Sequence, residues 1–377
     1  MTYEEYRAAC TDVVYLSACA VNGQVPDEKR VGQMDLARLY KAADRHLLTG
    51  ITAMALESAG VRDEAFIQAK GKAIRKTAAF DVERSAVLSA LEATGIWYLP
   101  LKGCVLKDLY PKLGMRQMAD NDILFDGERC EEVRQIMEGL GFTTESFGRS
   151  HHDHYYKQPV CNFEMHRAMF VPAHGEKLYN YFKDYAGHFR KDADNKYGYH
   201  LSADDFYIYM IAHEYKHYSG GGTGLRSLLD TYVFCQRKGE ALDWPYIAGE
   251  LDKLGIADFE EQNRSLAVHL FDGETLTDEE QAMLDYILSS GTYGTVQNRV
   301  RNKLTAYGGS SAAKLRYMQE RFFVPVRRSN KDYAAFAGAY PLFYRHKLLL
   351  PLLPFYRLGR GWPRVKAELR ALFASTK

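Results

Sequence analysis

The segment ADNDILFDG at residues 119–127 narrows the folds open to this chain. Ile123, Leu124 and Phe125 form a short apolar run, entered through polar residues and closed by Asp126-Gly127. Such a run reads as a buried strand. Side chains at i and i+2 of a strand point to one side, so Asp120 and Asp122 are predicted to converge at its start. Two facing carboxylates repel each other. A hard cation such as Mg²⁺ relieves that repulsion and favours carboxylate oxygens. The same residues also read as a polar turn leading into a strand, and the Asp-x-Asp spacing alone does not separate the two.

The surroundings predict an α+β chain. Residues 1–94 read as helices, with Leu36, Leu39, Tyr40, Ala43 and Leu47 recurring at three and four residues. Gly50 and Gly60 read as stops, and Gly95 as the cap of a helix ending in ALEAT. Residues 95–170 change texture. IWYLPLKG reads as a strand entering a turn, and CVLKDLY as two helical turns stopped by Pro111. Val133, Ile136, Met137 and Leu140 share one helix face, and HDHYYKQPVCNFEMHRAMF alternates about Gln158-Pro159 as a hairpin would. Helices resume near a capping box of Ser202 and Asp205, and they fill residues 171–377. The predicted organisation is an α/β core with a small mixed sheet, flanked by helical regions.

Composition excludes little. Hydrophobic residues make up 46% and charged residues 26%, as in globular proteins. A net charge of +1 argues against polyanion binding by bulk charge. The six cysteines form no C-x-x-C pair and read as free thiols. The start MTYEEYRAAC has no apolar signal core, and Leu348–Tyr356, with two prolines, is too short to span a bilayer. A cytoplasmic protein without a membrane span is the expectation; oligomeric state is not legible. The basic tail YRHKLLLPLLPFYRLGRGWPRVKAELR reads as a packed segment with a solvated face, or as a nucleic-acid or lipid patch.

One stretch is more specific. Gly95-Ile96, Leu101-Lys102-Gly103, Tyr110-Pro111, Arg116 and Asp120-Asn121-Asp122-Ile123-Leu124 follow one another, and Glu164-Met165-His166 comes next. This series resembles the DNA polymerase β-like nucleotidyltransferase superfamily, in particular a bacterial family of uncharacterised nucleotidyltransferases. Residues 95–170 carry the specific match. His213 and Asp230 further on resemble the family more loosely. The resemblance implies a polymerase-β-like core that moves a nucleoside monophosphate from an NTP, ATP among them, to a hydroxyl acceptor and releases pyrophosphate. It implies Asp120, Asp122 and Glu164 as catalytic metal ligands for two Mg²⁺ ions, with Glu164 helping to deprotonate the acceptor. Gly103 would let the backbone approach the phosphates, and Lys102 or Arg116 would neutralise them. His166 would touch nucleotide or acceptor. Superfamily members commonly carry Gly-Ser where this chain has Lys102-Gly103, which makes Lys102 a candidate substitute for the missing hydroxyl. The acceptor stays open among a small hydroxylated molecule, a tRNA end and a protein side chain. A non-catalytic nucleotide- or RNA-binding protein of the same fold is the alternative.

HEYKH at residues 213–217 offers a competing chemistry, since H-E-x-x-H is the spacing of a zinc peptidase helix. The position expected to supply a third ligand in the longer motif is Thr223, a poor zinc ligand. His213 and His217 are therefore expected to bind no zinc, and His213 and Lys216 to reach toward nucleotide or acceptor. Asp230 is expected to pair with one of these cations or with Arg226.

Overall fold

The computed structural model describes residues 1–148, 150–322, 326 and 333–374. They fall into two compact units, one of Met1–Lys216 with Gly224–Thr292, the other of His217–Thr223 with the described residues from Tyr293 onward.

The first unit opens with helices whose ends are set by short polar side chains. Thr2 and Glu5 form a capping box on the Tyr3–Val21 helix. Asp35 accepts from the Ala37 and Arg38 amides, and Asp63 from that of Phe66. The 31-residue helix Glu64–Thr94 ends at Gly95, whose φ of 71° is left-handed, and a Cβ there would lie 3.2 Å from the Tyr197 ring.

Five strands follow: β1 (Tyr98–Pro100), β2 (Asn121–Phe125), β3 (Thr143–Ser146), β4 (His152–Lys157) and β5 (Cys161–His166). They form one sheet in the order β1-β2-β5-β4-β3; β2 and β5 run parallel, and the other pairs antiparallel. Strand alternation separates the two faces. Ile123, Phe125, Tyr155, Phe163 and Met165 pack with Phe80, Val87 and Leu91 of the long helix and with Val133 and Met137 of the Cys130–Gly139 helix. The alternate residues, Asp122, His152, His154, Glu164 and His166, occupy the opposite face. The long helix thus closes one side of the sheet, and the other side gathers the acids and histidines. The β4–β5 hairpin turns at Gln158-Pro159 and the sheet is mixed, as the sequence predicts.

The Ala203–Gly220 helix starts where the serine box places it: the Asp205 amide donates to Ser202 Oγ at 3.1 Å, and Ser202 Oγ donates to Asp205 Oδ2 at 2.7 Å. The Leu225–Lys238 and Ala257–Asp272 helices complete this part of the unit. In the second unit, Val300, Leu304, Ala313, Tyr317, Ala371 and Leu372 form one core, and Tyr344, Leu350 and Leu353 a smaller one. Among the described residues no helix is long and apolar enough to cross a membrane.

Candidate functional site

Parallel pairing of β2 with β5 places Asp122 directly across from Glu164, on one face. Asp120, two residues before Asp122, leads into the same face. On the other side of β5, antiparallel pairing sets His154 across from Glu164 and His152 across from His166. One row across the sheet therefore reads Asp122, Glu164, His154. The structure brings the three acids together, and with them Lys102 and His166.

The electrostatics divide the acids. Asp122 is buried, which opposes its charge. Yet Lys102 Nζ donates to its Oδ1 at 2.6 Å and His166 Nε2 lies 2.8 Å from the same oxygen. These partners outweigh burial and hold the Asp122 carboxyl well below the usual range. Lys102 shows the reciprocal effect: burial opposes its charge, Asp122 foremost supports it, and its pKa is raised. Glu164 is also held below its ordinary value, because the His166 hydrogen bond and the Lys102 charge offset burial and the Asp122 charge. Asp120 goes the other way. Burial, then Asp122 and Glu164, push it up to about 6 against the pull of Lys102 and Arg226. The Asp122 charge is thus compensated by its partners, while burial and the acid neighbours disfavour that of Asp120.

Lys102 sits in a constrained turn. Its φ of 47° and ψ of −120° are unusual for a residue with a side chain and cost about 1–3 kcal/mol. The bond from the Leu101 amide to the Asp122 carbonyl, 2.9 Å, and the Lys102–Asp122 ion pair hold the turn in place. Lys216, on the Ala203–Gly220 helix, is lowered to about 8 by burial and by Lys102, while Asp122 and Glu164 support its charge.

Other expected residues have structural neighbours of their own. Arg116 is buried and forms a bidentate pair with Asp230, Nε to Oδ1 at 2.7 Å and Nη2 to Oδ2 at 2.8 Å. Tyr110 also donates to Asp230 Oδ1, at 2.7 Å. Asp230 therefore pairs with Arg116, a partner the sequence did not suggest, and the Arg116 charge is committed to the interior rather than to phosphate. Gly103 has a packing reason to be glycine: a Cβ there would fall 2.6 Å from Arg116 Nη1. His213 has its ring 6.1 Å from that of Tyr209.

The glutamate of HEYKH faces inward. Glu214 is buried, and its Oε2 accepts from Thr231 Oγ1 and Asn263 Nδ2, each at 3.4 Å. Burial, reinforced by the Asp230 charge, pushes it up to about 8. Among the described residues, the groups with metal-ligand geometry are His151, His152 and His166; His152, His154 and Glu164; and Asp122, Glu164 and His166, on the sheet or, for His151, just before β4. An acid raised in the folded chain weakens folding above its unfolded pKa, because unfolding lets it ionise. The wild type is thus predicted to lose stability through Glu214 between about pH 4.5 and 8, by roughly 1.4 kcal/mol per pH unit. Glu214→Gln keeps the accepting oxygen and removes that slope. Urea unfolding should show the variant matching wild type near pH 4.5 and exceeding it at pH 8; a parallel pH dependence in the two proteins would refute the buried neutral acid.

Several cations and imidazoles were missed by the sequence reading. Lys76 donates to the Ala119 carbonyl at 3.3 Å and interacts with the Asp120 charge. Arg226 donates to the Gln117 carbonyl at 3.0 Å and also acts on Asp120. Lys76 does not figure in the sequence reading, and Arg226 figures there only as one candidate partner of Asp230. His152 and His154 carried a usable signal, since the alternation that placed Glu164 and His166 on one face of β5 also placed these two on one face of β4.

A small mixed sheet backed by a long helix, with Asp-x-Asp at one strand start and a third acid in register on the next, defines a nucleotidyltransferase core of the polymerase-β-like class. The model of a family described as "Uncharacterised nucleotidyltransferase" matches residues 32–272, more than half of the chain, and the chain belongs to that family. No curated protein and no solved structure matches it.

Proposed function

We propose that the chain transfers a nucleoside monophosphate from an NTP to a hydroxyl acceptor, with release of pyrophosphate, on the sheet face that bears Asp120, Asp122 and Glu164. One observation carries this reading: Asp122 and Glu164 lie in register on adjacent parallel strands, with Asp120 at their head pushed up to about 6 by burial and by these acid neighbours. The donor set fits Mg²⁺, because the ligands are hard carboxylate oxygens and a bound cation would offset the burial and the acid neighbours that disfavour the Asp120 charge. Asp120 and Asp122 would hold two Mg²⁺ ions with NTP bound, and Glu164 one of them, supplying charge to the attacking and leaving oxygens.

The chain's own groups define the rest. Lys102 and Lys216, with Lys76 and Arg226 beside Asp120, supply positive charge for a triphosphate. His166 fixes the Asp122 carboxylate through its Nε2 contact. Glu164, held ionised, is the group suited to take the acceptor proton. A small hydroxylated molecule, a tRNA end and a protein side chain are the acceptor classes to try.

The test uses NTP labelled at the α- or the γ-phosphate, with Mg²⁺ and pools of aminoglycosides and sugars, tRNA, or protein. Movement of α-label into an acceptor with release of pyrophosphate is expected. Movement of γ-label instead would make the protein a phosphoryl-transfer enzyme and overturn the proposal.

A further inference from the structure

Glu164 stands between two unlike sets of donors. Toward β2 its neighbour in register is Asp122, an oxygen ligand; toward β4 it is His154, a nitrogen ligand. His152 shares the His154 face by strand alternation. The geometry points to a second metal position, formed by His152, His154 and Glu164, that takes Zn²⁺ or a similar nitrogen-preferring divalent ion in preference to Mg²⁺.

Spacing supports a common ion. One ligand atom from each of the three residues lies within 4.8 Å of the others. His152 Nε2 is 3.0 Å from His154 Nε2 and 3.8 Å from Glu164 Oε2, and His154 Nδ1 is 3.7 Å from Glu164 Oε1. A tetrahedral zinc with bonds of about 2.0–2.1 Å has neighbouring ligands roughly 3.3–3.4 Å apart; these contacts engage both nitrogens of His154 and both oxygens of Glu164, so binding selects one atom of each and draws it to that spacing.

The hydrogen bonds behind the ligands agree. His152 Nδ1 lies 3.1 Å from His151 Nε2, and His151 Nδ1 lies 3.2 Å from Ser150 Oγ. If His152 Nδ1–H donates to His151, then His151 Nδ1–H donates to serine. That tautomer leaves the His152 Nε2 lone pair directed at His154 and Glu164. Metal-bound histidines commonly have their second nitrogen fixed in this way. The site is reachable, since the His154 side chain is 40% exposed and that of Glu164 21%.

Chemistry separates the two positions. Imidazole suits zinc, copper, iron and nickel, whereas carboxylate and water suit magnesium and calcium. Two imidazoles and one carboxylate with an open fourth place is a ligand count found at catalytic rather than structural zinc. Glu164 is shared with the acid triad, but His152 and His154 lie outside it, so the two readings are distinguished at the histidines.

The experiment is calorimetric titration of Zn²⁺ into the full chain in excess Mg²⁺, with the visible absorption of Co²⁺ as a second readout. Wild type should bind one equivalent. His154→Ala, at the more exposed ligand, and His152→Ala should each lose at least the roughly 10–100-fold in affinity that follows removal of outer partners of metal ligands. Asp120→Asn should keep the zinc site even if it loses its response to Mg²⁺ and NTP, which separates failure of one proposal from failure of the other. Zinc binding at wild-type affinity in His154→Ala, displacement of zinc by Mg²⁺, or no zinc binding in wild type would each overturn the site.

Discussion

Asp230→Ala is expected to destabilise the first unit by about 3–5 kcal/mol, the typical cost of stranding one partner of a buried ion pair. Asp230 receives two bonds from Arg116 and one from Tyr110, all between buried groups. Removing the carboxylate leaves the guanidinium charged, because an arginine cannot shed its proton. It also removes the ion pair that ties the segment between Lys102 and Asp120 to the Leu225–Lys238 helix, leaving the bond from Arg226 to the Gln117 carbonyl. Arg116 and Asp230 are therefore positioning residues, and activity should fall together with stability. A double replacement, Arg116→Met with Asp230→Leu, removes both charges and should recover most of the lost stability while leaving the Tyr110 hydroxyl to be satisfied. Urea unfolding of the two variants beside wild type provides the check. Asp230→Ala within about 0.5 kcal/mol of wild type would show that the pair does not anchor this segment.

What the sequence made legible was local. Alternation in HDHYYKQPVCNFEMHRAMF marks a hairpin, and three apolar residues behind Asp122 mark a buried strand. Asp122 and Glu164 could be named because each sits at a fixed phase of a period-2 pattern. Contacts between distant segments were not legible. Arg116 reads as one more cation near an Asp-x-Asp until the Leu225–Lys238 helix brings Asp230 against it. Lys76 and Arg226 reach Asp120 from helices far apart in the chain, and nothing local distinguishes them from solvated charges.

HEYKH shows the same boundary within a single helix. Spacing at i and i+4 sets a shared face but does not say which face is buried. Phe206, Ile208, Tyr209, Met210, Ile211 and Ala212 bury most of the way round this helix, so Glu214 turns inward toward Thr231 and Asn263. Repulsion between two facing carboxylates, as read from the sequence, treats Asp120 and Asp122 alike. The structure instead compensates Asp122 with Lys102 and His166 and concentrates the repulsion at Asp120.

That asymmetry makes Asp120→Asn the informative variant. A carboxyl raised to about 6 in the folded chain weakens folding progressively from about pH 4 to pH 6, and the loss is then constant at higher pH. Asparagine removes this penalty, so without metal the variant should match wild type near pH 4 and melt at or above it at pH 7.5. Asp122→Asn is less suitable, because it leaves Lys102 buried without its main partner. Ligand should reverse the order. A ligand that binds only the folded chain stabilises it by about 2.7 kcal/mol at 100 times its dissociation constant. Wild type should therefore gain melting temperature from Mg²⁺ with a non-hydrolysable NTP. Asp120→Asn, lacking one of the carboxylates proposed to hold the ions, should lose most of that gain. The deciding measurement is a pair of melting curves at pH 7.5, with and without Mg²⁺ and that NTP, for both proteins. A large shift in wild type and a small one in a variant of equal or greater intrinsic stability is the predicted result; equal shifts in the two would contradict the assignment of this acid face as the nucleotide-metal site.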